Sequence, residues 1–190
     1  MPRHAKVTEN GLIDAALSIV ELTGPDDLTI NALADALDVK PPSLYNHVTG
    51  IEDVRTQVRV VATARLGDTL FDAAMGRAGE DALFALCHAY RGFALENPDL
   101  YSMTIEVRAG QNDDLDRTAW RALRPLFAVL AAQGFDDTDA THTVRTIRAA
   151  LHGFVSLEID GGFGLPESID TSFDRLVDML LTGLDKGHEN

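Results

Sequence analysis

The sequence predicts an all-α protein of about nine helices. Apolar residues recur at i, i+3, i+4 and i+7 along most of the chain. Alternating Val/Ile/Thr runs bounded by hairpin turns do not appear. Gly, Pro and cap residues punctuate the periodic segments at helix-length intervals. The 190 residues suffice for one generous domain or two small ones. A composition 45% hydrophobic and 24% charged excludes a disordered chain, a collagen and a disulfide scaffold.

The elements follow in order. Helix one runs from Thr8, a candidate N-cap, to Leu22, with Leu12, Ala15, Ala16 and Ile19 on one face and Gly24-Pro25 as its stop. Helix two begins after Thr29, where Ile30, Leu33, Ala34 and Leu37 match the helical template. A short third helix covers Pro41 to His47. Gly50 breaks the chain before a longer fourth helix, Ile51 to about Leu70. Glu80 to Glu96 reads as the fifth, ended by Asn97-Pro98, and Leu100 to Val107 as a short sixth. The seventh spans about Leu115 to Gln133, with Pro125 as an expected kink and Gly134 as its stop. Asp136 to Asp139 open an eighth helix reaching about Asp160. After the loop 161–166, Ser172 to Lys186 forms the last.

One segment carries most of the functional information. Thr29 to Val48 reads as a helix, a tight turn and a second short helix. Ala34 is small where two helices would cross closely, and Val39 can plug the turn. Leu44 and Val48 form a buried side, which leaves Pro42, Ser43, Tyr45, Asn46 and His47 pointing outward. A short helix with small, polar and aromatic side chains suits a DNA major groove. Tyr45 and Ser43 can donate to phosphates, Asn46 can pair with adenine, and His47 can reach a phosphate or a base edge. Thr29 can cap helix two and present backbone N–H groups to a phosphate.

Charge argues the other way. Sixteen basic against thirty acidic residues give −14. Residues 1–50 alone hold three basic and seven acidic side chains. Phosphate contacts need Lys and Arg, so DNA binding must rest on local placement and not on bulk charge. Arg3 and Lys6 offer a basic arm, or a solvated terminus.

These residues are similar to a known family. The stretch from about Ala5 to Thr56 resembles the N-terminal domain of the TetR family of transcriptional regulators. Leu28-Thr29-Ile30, Leu33 to Val39 and Pro42 to Val48 carry the likeness. Leu151-His152-Gly153-Phe154, followed by Gly162-Phe163-Gly164, is similar to the His-Gly signature of a large C-terminal subgroup, which often has Trp where Leu151 stands. The resemblance implies a helix-turn-helix DNA-binding domain over residues 1–52 and a helical effector-binding and dimerisation domain over 53–190. It carries Thr29, Lys40, Pro42, Ser43, Tyr45, Asn46 and His47 over as DNA-facing residues. It also implies a homodimeric repressor, released from an inverted-repeat operator on double-stranded DNA by a small, hydrophobic effector. Two departures stand out. The family commonly places a Lys at the position of Ile51, where it meets a phosphate, and a polar residue at that of Pro41.

The C-terminal part holds the effector candidates. His88, Phe93, Tyr101, Met103, Trp120, Arg124, Phe127 and His152 are apolar or amphipathic with a few polar handles, as pocket linings are. An aromatic stripe also suits a plain core. Trp120 and Tyr101 rank first, because their N–H and O–H need partners when buried. Val144, Ile147, Arg148, Leu151, Val155 and Ile159 recur at helical spacing, as do Phe173, Leu176, Val177, Leu180 and Leu184. These stripes, in residues about 140–160 and 172–186, face either a homodimer partner in a four-helix bundle or the chain's own core.

Other chemistry has little support. Asp113, Asp114 and Asp116, like Asp136, Asp137 and Asp139, precede helices and suit capping better than metal binding. Cys87 and His88 are adjacent on a helix and diverge by about 100°. No catalytic residue, cofactor or metal is expected. The lone Cys87 allows no internal disulfide, no apolar run reaches the roughly 18 residues of a membrane span, and Met1 to Lys6 is not a secretory signal. A cytoplasmic setting follows. The rival reading is an all-α small-molecule binder or enzyme that no longer binds DNA, motivated by Ile51 and the acidic N-terminal part.

Overall fold

The computed structural model describes residues 8–106, 110 and 112–185. These form nine α-helices and a 3₁₀ turn, with no strand among the described residues. Arg3, Lys6, Val107 and Lys186, all named above, lie outside the described residues.

The local starts and stops explain the helices. Helix α1 (Glu9–Thr23) begins where Thr8 Oγ1 accepts from the Gly11 N–H. It ends at Gly24, whose φ of 91° few side chains tolerate, and the chain then makes a 3₁₀ turn over Pro25–Asp27. Helix α2 (Ile30–Ala36) is capped by Thr29, which accepts from the Ala32 N–H at 3.1 Å. Helix α3 is Pro41–Leu44, shorter than the expected Pro41 to His47. The His47 N–H bonds the Leu44 carbonyl in a tighter i to i+3 pattern, and residues 45–47 form a turn. Helix α4 (Ile51–Ala74) runs one turn past the expected Leu70. Helices α5 (Gly79–Glu96) and α6 (Pro98–Ile105) follow, the latter starting at Pro98, where a missing N–H costs nothing. Helix α7 (Asp113–Ala132) continues through the buried Pro125. Helix α8 (Asp137–Ile159) starts on Asp136, whose carboxylate accepts from the Thr138 and Asp139 N–H groups. Helix α9 (Ile169–Asp185) starts three residues before the expected Ser172.

The chain packs as two compact units. The first comprises residues up to Arg65 together with Asp99–Ala119. Its core gathers Leu12, Ala16 and Val20 of α1, Leu33 and Ala34 of α2, Leu44 of α3 and Val54 and Val58 of α4. Leu28 joins them from the loop, and Leu100 and Met103 from α6. Each fully buried leucine contributes about 1.5–3 kcal/mol, so these side chains hold the short α2 and α3 in place where helix propensity alone could not.

The second unit comprises Leu66–Pro98 and Trp120–Asn190. Helices α5, α8 and α9 pack on one another, and Val129 and Leu130 of α7 join their core. Val144, Ile147, Leu151 and Val155 are buried, as are Phe173 and Val177. These stripes therefore face the chain's own core. Leu176, Leu180 and Leu184 of the second stripe are only half-buried and keep part of their surface in solvent. Arg148 and Ile159 do lie outward.

Within this unit α4 and α7 approach closely. A Cβ placed on Gly67 would stand 3.0 Å from both Cα and Cβ of Ala122. Gly67→Val is expected to lower stability by about 2 kcal/mol, through this overlap with a backbone that cannot swing aside. A thermal melt of the variant checks it, and an unchanged midpoint would refute the close crossing.

Candidate nucleic-acid interface

The turn between α2 and α3 has a defined geometry. The Val39 N–H bonds the Ala34 carbonyl at 2.9 Å, and the Asp38 N–H bonds that of Asp35 at 3.1 Å. This pair of bonds closes α2 as a Schellman motif and turns the chain sharply into α3. Asp38 occupies the left-handed position with φ 51°, the one positive-φ non-glycine among the described residues. Glycine normally fills that position because it has no Cβ to clash. Asp38→Gly is expected to raise stability by about 0.5–1 kcal/mol. Denaturant unfolding checks this, and a loss of stability would mean that the Asp38 side chain holds the turn.

On this frame the expected residues take up their places. Leu44 is fully buried and Val48 nearly so, and both belong to the first unit's core. Val39 is half-buried against the same core, as a plug in the turn should be. With those side chains inward, Lys40, Pro42, Ser43, Tyr45, Asn46 and His47 are all exposed, and Thr29 is exposed at the start of α2. Tyr45 keeps 57% of its surface in solvent although it follows a buried leucine. The Asn46 Nδ2 group donates to the Ser43 carbonyl at 3.3 Å, which leaves Oδ1 as its outward acceptor. Pro41 and Pro42 occupy the first turn of α3, where no hydrogen bond is lost.

The electrostatics of this face are unusual for a DNA reader. Lys40 is the one Lys or Arg among described residues 8–50. It shares an open depression of about 550 Å³ with Asp35, Asp38 and Ser43. The groups this face exposes are hydroxyl, amide, imidazole and phenol, with Lys40 as the one Lys or Arg among described residues 8–50.

The start of α4 holds residues that periodicity did not single out. Asp53 accepts from the Thr49 N–H at 3.1 Å, which ties this acid to the start of its own helix. Arg55 donates to the Leu28 carbonyl and to Glu52, and Arg59 to Glu106. The Glu52–Arg55 spacing is legible as an i, i+3 pair. The links to Leu28 and Glu106 join distant parts of the sequence and had no local signal.

The eight effector candidates are dispersed. Tyr101 and Met103 belong to the first unit, where both are buried and Met103 is part of the core. The other six belong to the second. His88 lies between the rings of Phe84 and Phe173, with Nε2 3.3 Å from Asp174 Oδ1. Phe93 is buried, and His152 Nδ1 lies 3.2 Å from Ser156 Oγ. Trp120 is 57% exposed beside Phe127, with Arg124 exposed on the same helix. With 57% of its surface in solvent, Trp120 lacks the burial on which its first rank rested. Burial pushes the Cys87 thiol up to about 12, so it stays protonated near neutral pH and is no nucleophile.

Comparison with known proteins decides the family. Residues 83–180, just over half of the chain, match the model described as the tetracyclin repressor-like C-terminal domain. An HTH-type transcriptional regulator of Mycobacterium tuberculosis is 37% identical over 187 residues, covering 97% of this chain and 84% of that protein. The chain belongs to the TetR family. The regulator YobS of Bacillus subtilis is 30% identical over 94% of this chain and 93% of its own length. Among solved structures, a Rhodococcus protein of unknown function superposes with a TM-score of 0.77 at 21% identity, covering 96% of this chain and 98% of that one. A TetR variant of Acinetobacter baumannii in complex with minocycline gives 0.72 at 22%, covering 97% and 100%. This TetR-family chain is thus a helix-turn-helix, DNA-binding transcriptional regulator. No helix among its described residues is long and apolar enough to cross a membrane.

Proposed function

We propose that this TetR-family protein is a cytoplasmic homodimeric repressor that leaves an inverted-repeat operator when a small, hydrophobic molecule binds. Residues 1–52 read the DNA, and residues 53–190 hold the effector and the dimer contact. The observation that carries the reading is the short α3, anchored by Leu44 and Val48, with Ser43, Tyr45, Asn46 and His47 all turned to solvent.

The outer faces of α8 and α9 support the dimer. Leu157 and Met179 expose 50% and 67% of their surface, and Ile159 exposes 38%. Gly153 and Gly183 stand on exposed helix surface with nothing within 4 Å of where a Cβ would be, which leaves room for close approach of a partner helix. A two-fold dimer presents two copies of α3 and so selects an inverted repeat. Support for an effector comes from the minocycline complex of the structurally similar TetR variant and from the half-exposed aromatic pair Trp120 and Phe127.

The test is selection of bound sequences from a random duplex library at about 100 mM salt, with the mass in solution measured on the same sample. An enriched inverted repeat bound by a dimer is the expected result. A well-folded dimer that enriches nothing, even at lower salt, would overturn the proposal in favour of a DNA-silent ligand binder.

A further inference from the structure

Two exposed helix faces of the second unit carry opposite charge around apolar side chains. On α4, Asp68, Phe71 and Asp72 lie within about 100° of one another around the helix. Met75, one residue past the helix, continues that face, and its N–H still bonds the Phe71 carbonyl. On α7, Trp120, Arg121 and Arg124 likewise lie within about 100°. All seven residues are exposed, and Phe71, Met75 and Trp120 each keep more than half of their surface in solvent. One face is thus two carboxylates with a phenyl and a thioether, and the other is two guanidiniums with an indole.

Neither face finds its counter-charge within the chain. Arg55, Arg59, Arg65, Arg77, Arg91 and Arg117 all have carboxylate partners. Arg121 and Arg124 have none among the described residues, although acids outnumber bases thirty to sixteen. Asp68 and Asp72 have no cation there either. Like charges three or four residues apart on one helix repel each other, so each face costs stability while it stays bare. Contiguous apolar surface left in solvent marks contact with another molecule, and Trp and Arg are the side chains that anchor such contacts.

We propose that the α7 face of one copy of this chain docks on the α4 face of a second copy. Arg121 and Arg124 meet Asp68 and Asp72, and Trp120 lies against Phe71 and Met75. Charge complementarity selects this occupant. At −14 per chain, two copies repel each other unless opposite charges meet locally. The two guanidiniums are about 4.5 Å apart along their helix and the two carboxylates about 6 Å, so two ion pairs fit one helix crossing. The patch is small beside a standard interface of about 1,600 Å², so the association is weak, on the order of tens of micromolar. It uses neither α8 nor α9, and therefore adds copies to the dimer proposed above. Each copy carries both faces, so mass grows with concentration.

The test is sedimentation equilibrium of the full-length protein from about 1 to 200 μM. The native chain is expected to gain mass beyond the dimer at the upper end. Arg121→Glu with Arg124→Glu is expected to weaken that gain at least about tenfold. Asp68→Arg with Asp72→Arg is expected to do the same, although it adds four positive charges to −14, giving −10, and so eases general repulsion. All four substitutions together return the charge to −14 and are expected to restore association, because the ion pairs re-form with their signs exchanged. A native chain that gains no mass beyond the dimer overturns the proposal. So does stronger association of the α4 variant, which bulk charge alone would give, and so does a fourfold variant that stays dissociated. Circular dichroism melts confirm that each variant is folded. An effector resting on Trp120 would need neither Asp68 nor Asp72, so the α4 variant separates the two uses of that side chain. A native dimer without higher mass refutes this inference and leaves the proposed function standing, whereas a chain monomeric throughout refutes its dimer as well.

Discussion

Arg91→Ala is expected to destabilise the protein by about 3 kcal/mol, the largest effect of any single polar substitution in the second unit. The guanidinium of Arg91 on α5 meets Glu158 on α8 through two bonds, Nε to Oε2 at 2.8 Å and Nη2 to Oε1 at 2.5 Å. It also reaches Asp170 on α9 at 2.7 Å and lies over the Phe173 ring at 4.8 Å. Arg91 and Glu158 are each only 12% exposed, whereas Asp170 is 81% exposed. The weight of the interaction therefore sits on Glu158, and the Asp170 contact is screened by solvent. The Glu158 hydrogen bond holds Arg91 above its ordinary pKa, against the opposing effect of burial. Arg91 thus stays charged at every pH where the protein is handled.

Removing Arg91 strands the Glu158 carboxylate in a mostly dry site, and that desolvation sets the size of the loss. Arg91→Lys keeps the charge but loses the planar fork, and about half of the loss is expected. Arg91→Leu with Glu158→Leu is expected to recover most of it, because no charge is then left buried. Urea unfolding of the three variants is the measurement. A loss below about 1 kcal/mol for Arg91→Ala would show that water reaches Glu158 and that the three helices are held by apolar packing alone.

Tyr45→Ala combined with His47→Ala is expected to reduce affinity for the selected operator about 100-fold while leaving stability within about 0.5 kcal/mol. Both effects have the same origin. The two side chains lie in solvent beside the buried Leu44 and Val48, so their loss exposes nothing and leaves no cavity. With Lys40 the one Lys or Arg among described residues 8–50, the face has few other groups to hold a duplex. Random-sequence duplex should lose much less than operator, because that binding depends on backbone charge. Operator affinity that survives both substitutions would move the DNA-reading surface away from α3.

Much of this regulator was legible in the linear sequence, for a physical reason. Helix starts are local devices, settled within three or four residues by an oxygen and an N–H. Thr8, Thr29 and Asp136 all cap the helices that their positions promised. The face of α3 was equally legible. With Leu44 and Val48 inward, the polar and aromatic residues between them are left to solvent, although the helix expected over 41–47 stops at Leu44 and residues 45–47 form a turn.

What needed the tertiary structure was everything with a non-local partner or an ambiguous periodicity. The stripe Val144, Ile147, Leu151 and Val155 has the same spacing whether it meets its own core or a second copy, and only packing showed it to be internal. An aromatic residue reads alike in a core and on a surface, so the exposure of Trp120 could not be foreseen. Arg59 with Glu106, and Arg91 with Glu158, join residues 47 and 67 positions apart, beyond the reach of any helical template. Gly67 carries no local signal within its helix, yet Ala122 stands 3.0 Å from where a side chain there would begin. The sequence by itself determined where the helices start and which short face is left exposed after α2, because neighbouring residues decide both. Folding alone decided which charges share a partner and which apolar faces are already covered, because those depend on chain segments that meet only in three dimensions.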